Sequence, residues 1–465
     1  MSPSPSSELH LTVRAGSPLA EVFLIDGDFA LVRRSVGDLE CDVPPGVYKV
    51  KAKLADATTE RLVLLDRDAA LDVSGDLAVG SPVPIARAAS QRMRDIGRGL
   101  APSGQAAPQV TVGAEVFLMT RSGISNDDTP ARPPQISLHH LDGTTIDSLE
   151  PHAEDPREEQ SRTIEIDPGP FLVRRRDRLG DVTEQCVYAV AGWQTQVFAL
   201  EEAGDDPEEI GRSRVSVLMA QHQFDPGDSE LPLIEQARTA LADERKVATE
   251  TLGELFEASD NPMMGLFGAH LMLIARDAAL QEVEQRITGR LGERAVTAPV
   301  GFDQARFDRI VDRLSEVLGP GHADVVALAS QRTDQALESL QPISAPPMLW
   351  RSWVLLVTVS NSMPSLVPVI TWQRTLHVLP LRPFFLWAPT EQPNELSEIW
   401  TRSIASSLSA GASTPPADGM TPRQRSLGLE TSGRVSPDDE ARRRVSEQLL
   451  VPRAVIDRLA EGEPL

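Results

Sequence analysis

The sequence predicts a multidomain β plus α protein: two tandem small β-sandwich modules, then an all-helical domain, then a flexible tail with a short C-terminal helix. Three observations predict it. Residues 9–80 alternate in short runs between Gly, Pro and Asp punctuation, as half-buried strands do. Parts of that text recur downstream, the mark of a repeated unit. From residue 233 the apolar spacing changes to threes and fours, the helical period.

At 465 residues the chain exceeds what one core ordinarily organises, and its 41% of apolar residues can fill several. A formal charge of -23 argues against a general phosphate-backbone binder, which needs a basic surface. Residues 1–8 are expected to be disordered and hold neither a basic nor an apolar leader, so the protein is read as cytoplasmic. Two cysteines fit a reducing compartment and exclude a disulfide-stapled scaffold. The uncharged span from Ser352 to Gln373 holds Ser360, Asn361, Ser362, Pro364, Ser365 and Pro368, so a buried helix followed by extended chain is expected there.

The first module, 9–80, opens with Leu9 to Val13 and Ala20 to Leu24 as strands, and Pro45-Gly46 turns the chain into a strand led by Val47 and Tyr48. Residues 81–108 read as a linker with a short basic helix around Arg87, Arg92, Arg94 and Arg98. The second module, 109–201, repeats Ala20 to Leu24 without change as Ala114 to Leu118, and Pro168-Gly169-Pro170-Phe171 answers the Pro-Gly-aromatic turn. The offset is 94 at the first match (114 minus 20) and 123 at the second (169 minus 46). That difference predicts a polar, acidic insertion within 121–162, facing solvent. Residues 202–232 read as an acidic linker.

In the helical domain, 233–402, the stretch from Asp260 to Ala275 is the organising helix. Asn261 can cap the first turn, Pro262 suits the first helical position, and apolar side chains on every face require burial all round. Gly265 and Gly268 are expected to let another backbone pass close, since each costs about 1 kcal/mol of helix propensity. Phe302 to Leu318 carries Phe307, Ile310, Val311, Leu314 and Leu318 on one stripe, and Asp324 to Leu340 is a further helix candidate. Residues 403–435 read as a flexible linker. The tethered segment 436–465 starts with capping Ser436, Pro437 and three acids.

The Pro-Gly-aromatic turns and tandem strands resemble small bacterial β-sandwiches of the PEGA or carboxypeptidase-regulatory type, which implies binding or spacer modules. The blocks Asn261 to Leu271, Pro346 to Trp353 and Pro383 to Trp387 are similar to bacterial proteins that accompany caspase-like or related regulated peptidases in conflict systems. That resemblance implies an accessory role, with such a peptidase as partner, and supplies no catalytic residue.

No lysine follows a glycine, which removes the P-loop, and no nucleophile elbow, zinc helix, Cys-x-x-Cys pair or dinucleotide fingerprint is present. Cys41 aligns with Ile164 and Cys186 with Leu62, so both thiols are expected to pack as small hydrophobes. His139, His140 and His152 near Asp142, Glu154 and Asp155, and His222 before Asp225, Asp228 and Glu230, match no closed metal spacing. No metal and no cofactor are expected. His270 is the candidate polar core site, with a structural hydrogen-bonded role as the default and a catalytic or ligand role as the alternative. Val445, Leu449, Leu450, Val455, Ile456 and Leu459 of the tail, with Trp350 and Trp353, are the expected partner contacts. The function expected is a non-enzymatic scaffold or adaptor for a protein partner, without nucleic acid or membrane. The alternative is an unfamiliar hydrolase or ligand-binding protein built around His270.

Overall fold

The computed structural model describes residues 8–15, 20–54, 57–73, 82–84, 110, 113–122, 133–150, 160–177, 179–201, 214–226, 228, 230–244, 256–257, 260–287, 302–379, 381–389, 393–412 and 437–461. The protein is mixed β plus α, with β-sheets through the first half of the chain and, among the described residues, nine α-helices through the second.

The first β unit comprises β1 (Leu9–Arg14), β2 (Glu21–Ile25), β3 (Leu31–Val36), β4 (Leu39–Val43), β5 (Gly46–Leu54), β6 (Ala57–Leu65) and β7 (Ala69–Asp72). They form two sheets, ordered β4-β1-β7 and β3-β2-β5-β6. β1 runs parallel to β7, and every other pair is antiparallel. Period-two alternation places Val22, Leu24, Val50 and Ala52 in the core.

The second unit comprises β8 (Ala114–Ser122), β9 (Gln135–His139), β10 (Thr145–Leu149), β11 (Gln160–Ile166), β12 (Gly169–Arg176), β13 (Val182–Ala189), β14 (Gln194–Glu201) and β15 (Arg214–Ala220). Its sheets are ordered β11-β8-β14-β15 and β10-β9-β12-β13, the latter continued by β17 (Leu386–Trp387) and β16 (Val378–Leu379). Adding seven to each strand number of the first unit yields the core order of the second. The strand senses also agree, including the parallel pair β8–β14.

This topology corrects three sequence expectations. The identical pentapeptides at Ala20 and Ala114 lie on β2 and β8, which hold different places, because β8 answers β1 and β9 answers β2. An alternating apolar pentapeptide suits any strand with one buried face, so its identity does not fix its position. The polar insertion expected within 121–162 instead contains β9 and β10, with Ile136 and Leu138 fully buried. The acidic linker 202–232 contains β15, which pairs along β14 and buries Val217, Leu218 and Met219.

The helices are α1 (Leu231–Ala242), α2 (Pro262–Ile287), α3 (Gln304–Leu318), α4 (Ala323–Ala329), α5 (Trp350–Ser360), α6 (Val369–Gln373), α7 (Pro393–Ala412), α8 (Pro437–Leu449) and α9 (Arg453–Ala460). α2 starts where the cap signals predict: Asn261 Oδ1 accepts the Met263 amide at 3.0 Å. Its window Pro262–Gln281 is long and apolar enough to cross a membrane, yet 72% of that window is buried inside the protein. Gly265 and Gly268 accommodate the side chains of Leu314 and Phe256, where a second backbone had been expected. α3 buries Phe307, Ile310, Val311 and Leu314 of its predicted stripe and half-buries Leu318, with Asp303 capping the Arg306 amide. α4 stops at Ala329, well short of the helix predicted to Leu340. There the Ser330 hydroxyl donates back to the Ala327 carbonyl, a local alternative to helical pairing.

The second β unit and the helical half share one core. β17 extends the β13 edge, and the Trp387 indole donates to Glu184 at 3.0 Å. The tryptophans cement this region: Trp353 stacks on Phe385 with centroids 4.7 Å apart, and Trp372 meets Trp400 edge-on at 5.9 Å. α7 runs on through 403–412, taking residues the sequence assigns to a linker, and α8 and α9 pack against α7 and α5.

Candidate functional site

The titratable groups in the helical core converge on Ser352. His270 on α2 lies 2.9 Å from the Ser352 hydroxyl through Nε2, and Ser352 is among the groups that favour the ionised Asp324 carboxylate on α4. Asp324 accepts the Met348 and Leu349 amides at 2.8 and 3.0 Å. His322 Nδ1 accepts the Asp324 amide at 3.2 Å, and its ring lies 3.7 Å from that of Tyr188, centroid to centroid. Tyr188 in turn accepts the Ala323 amide at 3.3 Å, which ties β13 to α4.

Ser, His and Asp are therefore brought together, but in an order unlike that of a nucleophilic triad. The serine stands between the other two, and which of the Ser352 hydroxyl and His270 Nε2 donates depends on the imidazole tautomer. In a triad the carboxylate would hold the second imidazole nitrogen, whereas His270 Nδ1 has no partner among the described residues. Burial lowers His270 to about 3, helped by the Arg351 charge, and burial lowers His322 to about 3. Burial raises Asp324 to about 6 against the hydrogen bonds that oppose it. His270 and Asp324 are both 0% exposed, so no substrate reaches them in this conformation. Sequence reasoning missed Asp324. The available signal was a lone carboxylate inside the apolar run Ala323 to Ala329.

Two cavities flank α3 and neither reaches this network. One, of about 300 Å³, is lined by Phe256, Asn261, Gly265, Arg309, Arg313 and Leu314. Its guanidinium groups are engaged: Arg309 pairs with Glu257 at 2.7 Å, and Arg313 pairs with Asp260. The other, of about 480 Å³, holds Arg332 between Asp312 and Asp334.

Among the described residues no three His, Cys, Asp or Glu side chains gather as a metal site. His139 is buried within β9, with Nε2 2.8 Å from Ser137 and Nδ1 facing the Gly143 carbonyl. His222 lies 3.3 Å from Asp228. His152, Glu154 and Asp155 lie outside the described residues. Cys186 is buried and Cys41 half-buried, both as free thiols.

The tail residues Val445, Val455 and Ile456 are buried in the chain's own core, while Leu449, Leu450 and Leu459 are half-buried. The Arg453 amide donates to Ser360 at 3.0 Å, and the Arg453 side chain reaches Asp457 and Asp439 at 2.7 and 2.5 Å. Trp353 is fully buried; Trp350 is half-buried beside Arg382, whose guanidinium lies 5.7 Å from its ring. Replacing Ile456 by Ala is expected to cost about 2–5 kcal/mol, as for a buried aliphatic truncation. Leu449→Ala should cost clearly less, and urea unfolding of the two variants checks this order.

Exposed apolar groups concentrate elsewhere. Of ten large hydrophobic residues exposed among the described residues, six belong to the first β unit: Phe29, Leu31, Val32, Val47, Leu62 and Leu64. Leu62 and Leu64 are 78% and 68% exposed, on the outer face of the β3-β2-β5-β6 sheet. Lys49, opposite Leu62, and Lys51, opposite Glu60, share that face.

No family model and no curated protein matches this chain. The solved structure of the Bacillus anthracis TIE protein overlaps 48% of this chain and 32% of its own length, at 11% identity and a TM-score of 0.15. At that TM-score the likeness carries no argument.

Proposed function

We propose that the chain is a non-enzymatic cytoplasmic scaffold or adaptor built on two small β-sandwich modules of the PEGA or carboxypeptidase-regulatory kind. The second module and the helical half form its body, and the first module is the arm offered to a protein partner. The observation that carries this reading is the contrast between the two halves. Side chains able to do chemistry, His270 and Asp324, are sealed, while exposed apolar groups gather on the first unit. A tail docked on its own body supports a structural role for 437–461 better than a contact in trans. A regulated peptidase of the conflict-system kind is the partner to test first, on the strength of the sequence resemblance.

Affinity purification from the native host tests this with the whole chain beside a Leu62→Lys, Leu64→Lys variant. Both positions are exposed, so the variant is expected to keep its stability within about 0.5 kcal/mol. A partner retained by the parent chain and lost from the variant is the expected result. A partner held equally by both would move the contact off this face, and an empty capture with the parent chain would remove the adaptor reading.

A further inference from the structure

We propose that the β6 edge and the outer face beside it form a strand-addition site for an extended, aromatic-bearing segment of a partner protein with acidic flanks. This rests on the adaptor reading and names the chemistry of the partner.

The chain contains a worked example of the same docking. In the first unit Lys51 pairs with Glu60 across β5 and β6; in the second, Arg174 pairs with Glu184 across β12 and β13. The two sets are equivalent by offsets of 123 (174 minus 51) and 124 (184 minus 60). Both pairs are ionic, at 3.7 Å for Lys51–Glu60 and 2.6 Å for Arg174–Glu184. On β13 the far edge is taken: Trp387 stands opposite Glu184, Leu386 stands opposite Gln185, and the Trp387 indole donates to the Glu184 carboxylate. The outer-face residues Cys186 and Tyr188 are buried by the helical half.

On β6 the equivalent edge ends the sheet, with no further strand among the described residues. Leu62 and Leu64, the counterparts of Cys186 and Tyr188, are exposed, and the Glu60 side chain is 44% exposed. The edge carries two charged side chains, Glu60 and Arg61, and few of the other usual protections. It pairs with β5 at nine positions without a register shift and contains neither lysine nor proline. The opposite edge, β3, is blunted by Arg33 and Arg34 and by an irregularity in its pairing with β2.

Charge selects the occupant. Lys49, Lys51 and Lys53, three of the four lysines in the chain, stand with Arg34 on this outer face against Glu21 and Glu60. That surplus of positive charge, in a protein of formal charge -23, fits carboxylates flanking the incoming segment. A second copy is disfavoured, because packing this face on itself would oppose the lysines, and the chain's own aromatic segment is already engaged on β13.

The probe is a fluorescein-labelled peptide carrying Pro383 to Ala388 between aspartate pairs, titrated with the full chain and read by anisotropy. Saturable binding is expected. It should weaken by at least about tenfold for Leu62→Lys, Leu64→Lys in the protein and for Trp→Ala in the peptide. No saturation up to about 1 mM protein, or equal binding by the double variant, overturns the proposal. The second outcome would mark displacement of the chain's own segment from β13. If the peptide fails while a host protein is still captured through Leu62 and Leu64, the adaptor reading stands and strand addition falls.

Discussion

Gly268→Ala is expected to lower the stability of the protein by about 3 kcal/mol, against the gain of about 1 kcal/mol that helix propensity alone would bring. A Cβ at position 268 would lie 2.2 Å from Phe256 Cγ, 2.4 Å from Cδ2 and 2.7 Å from Cβ, so a rotation of the ring alone does not clear it. At Gly265 the nearest atom is Leu314 Cδ2 at 3.0 Å, the far end of a flexible side chain, and Gly265→Ala should be close to neutral. Urea midpoints separate the two. The cause is checked in a Phe256→Ala background, where the penalty at 268 should largely disappear as a coupling between touching residues. Equal midpoints for the parent chain and Gly268→Ala would show that Phe256 is not seated against α2.

Acid is expected to destabilise the protein between about pH 6.5 and pH 3, through its two sealed histidines. His270 and His322 are lowered from 6.5 to about 3, so the unfolded chain binds their protons first. Stability that is full above the unfolded value of 6.5 is therefore lost as pH falls toward about 3. Asp324 acts in the opposite sense. Its value rises from 3.8 to about 6, so the folded state takes up its proton first and is relieved on acidification through that window. Two histidines with the larger displacements outweigh one carboxylate, and the net loss should be on the order of 5 kcal/mol. Chemical unfolding at a series of pH values checks the slope. Asp324→Asn should steepen the loss between about pH 6 and 4, and His270→Gln should flatten the whole curve while costing stability at neutral pH. An unchanged slope in both variants would place the acid-sensitive groups elsewhere.

What the sequence made legible follows the reach of each signal. Asn261-Pro262 marks a helix start because caps act within one turn, and it stands where expected. The turns at Gly46 and Gly169 each open a strand, and their offset of 123 (169 minus 46) is the correct equivalence between the units. The Ala20 and Ala114 pentapeptides misled because alternation reports a buried face and not a neighbour. β9 does alternate, with Ile136 and Leu138 between Gln135, Ser137 and His139, but over only five residues set in polar, acidic and proline-bearing text, which reads as a loop. His270 was visible as a polar residue in an apolar helix. Its partner Ser352 lies 82 residues away, and no local pattern announces such a contact.

The joint between β13 and β17 sets a timetable for biosynthesis. Glu184 and Trp387 are 203 residues apart, so the sheet of the second unit remains open at one edge until most of the chain has left the ribosome. At about 5–20 residues per second that wait lasts roughly 10–40 s, during which the β13 edge is available to any other strand. The described strands of the first unit pair within residues 9–72 and have no such delay. A nascent chain stalled before residue 386 should therefore carry a finished first unit beside an unfinished second one, and chaperone attention should fall on the latter.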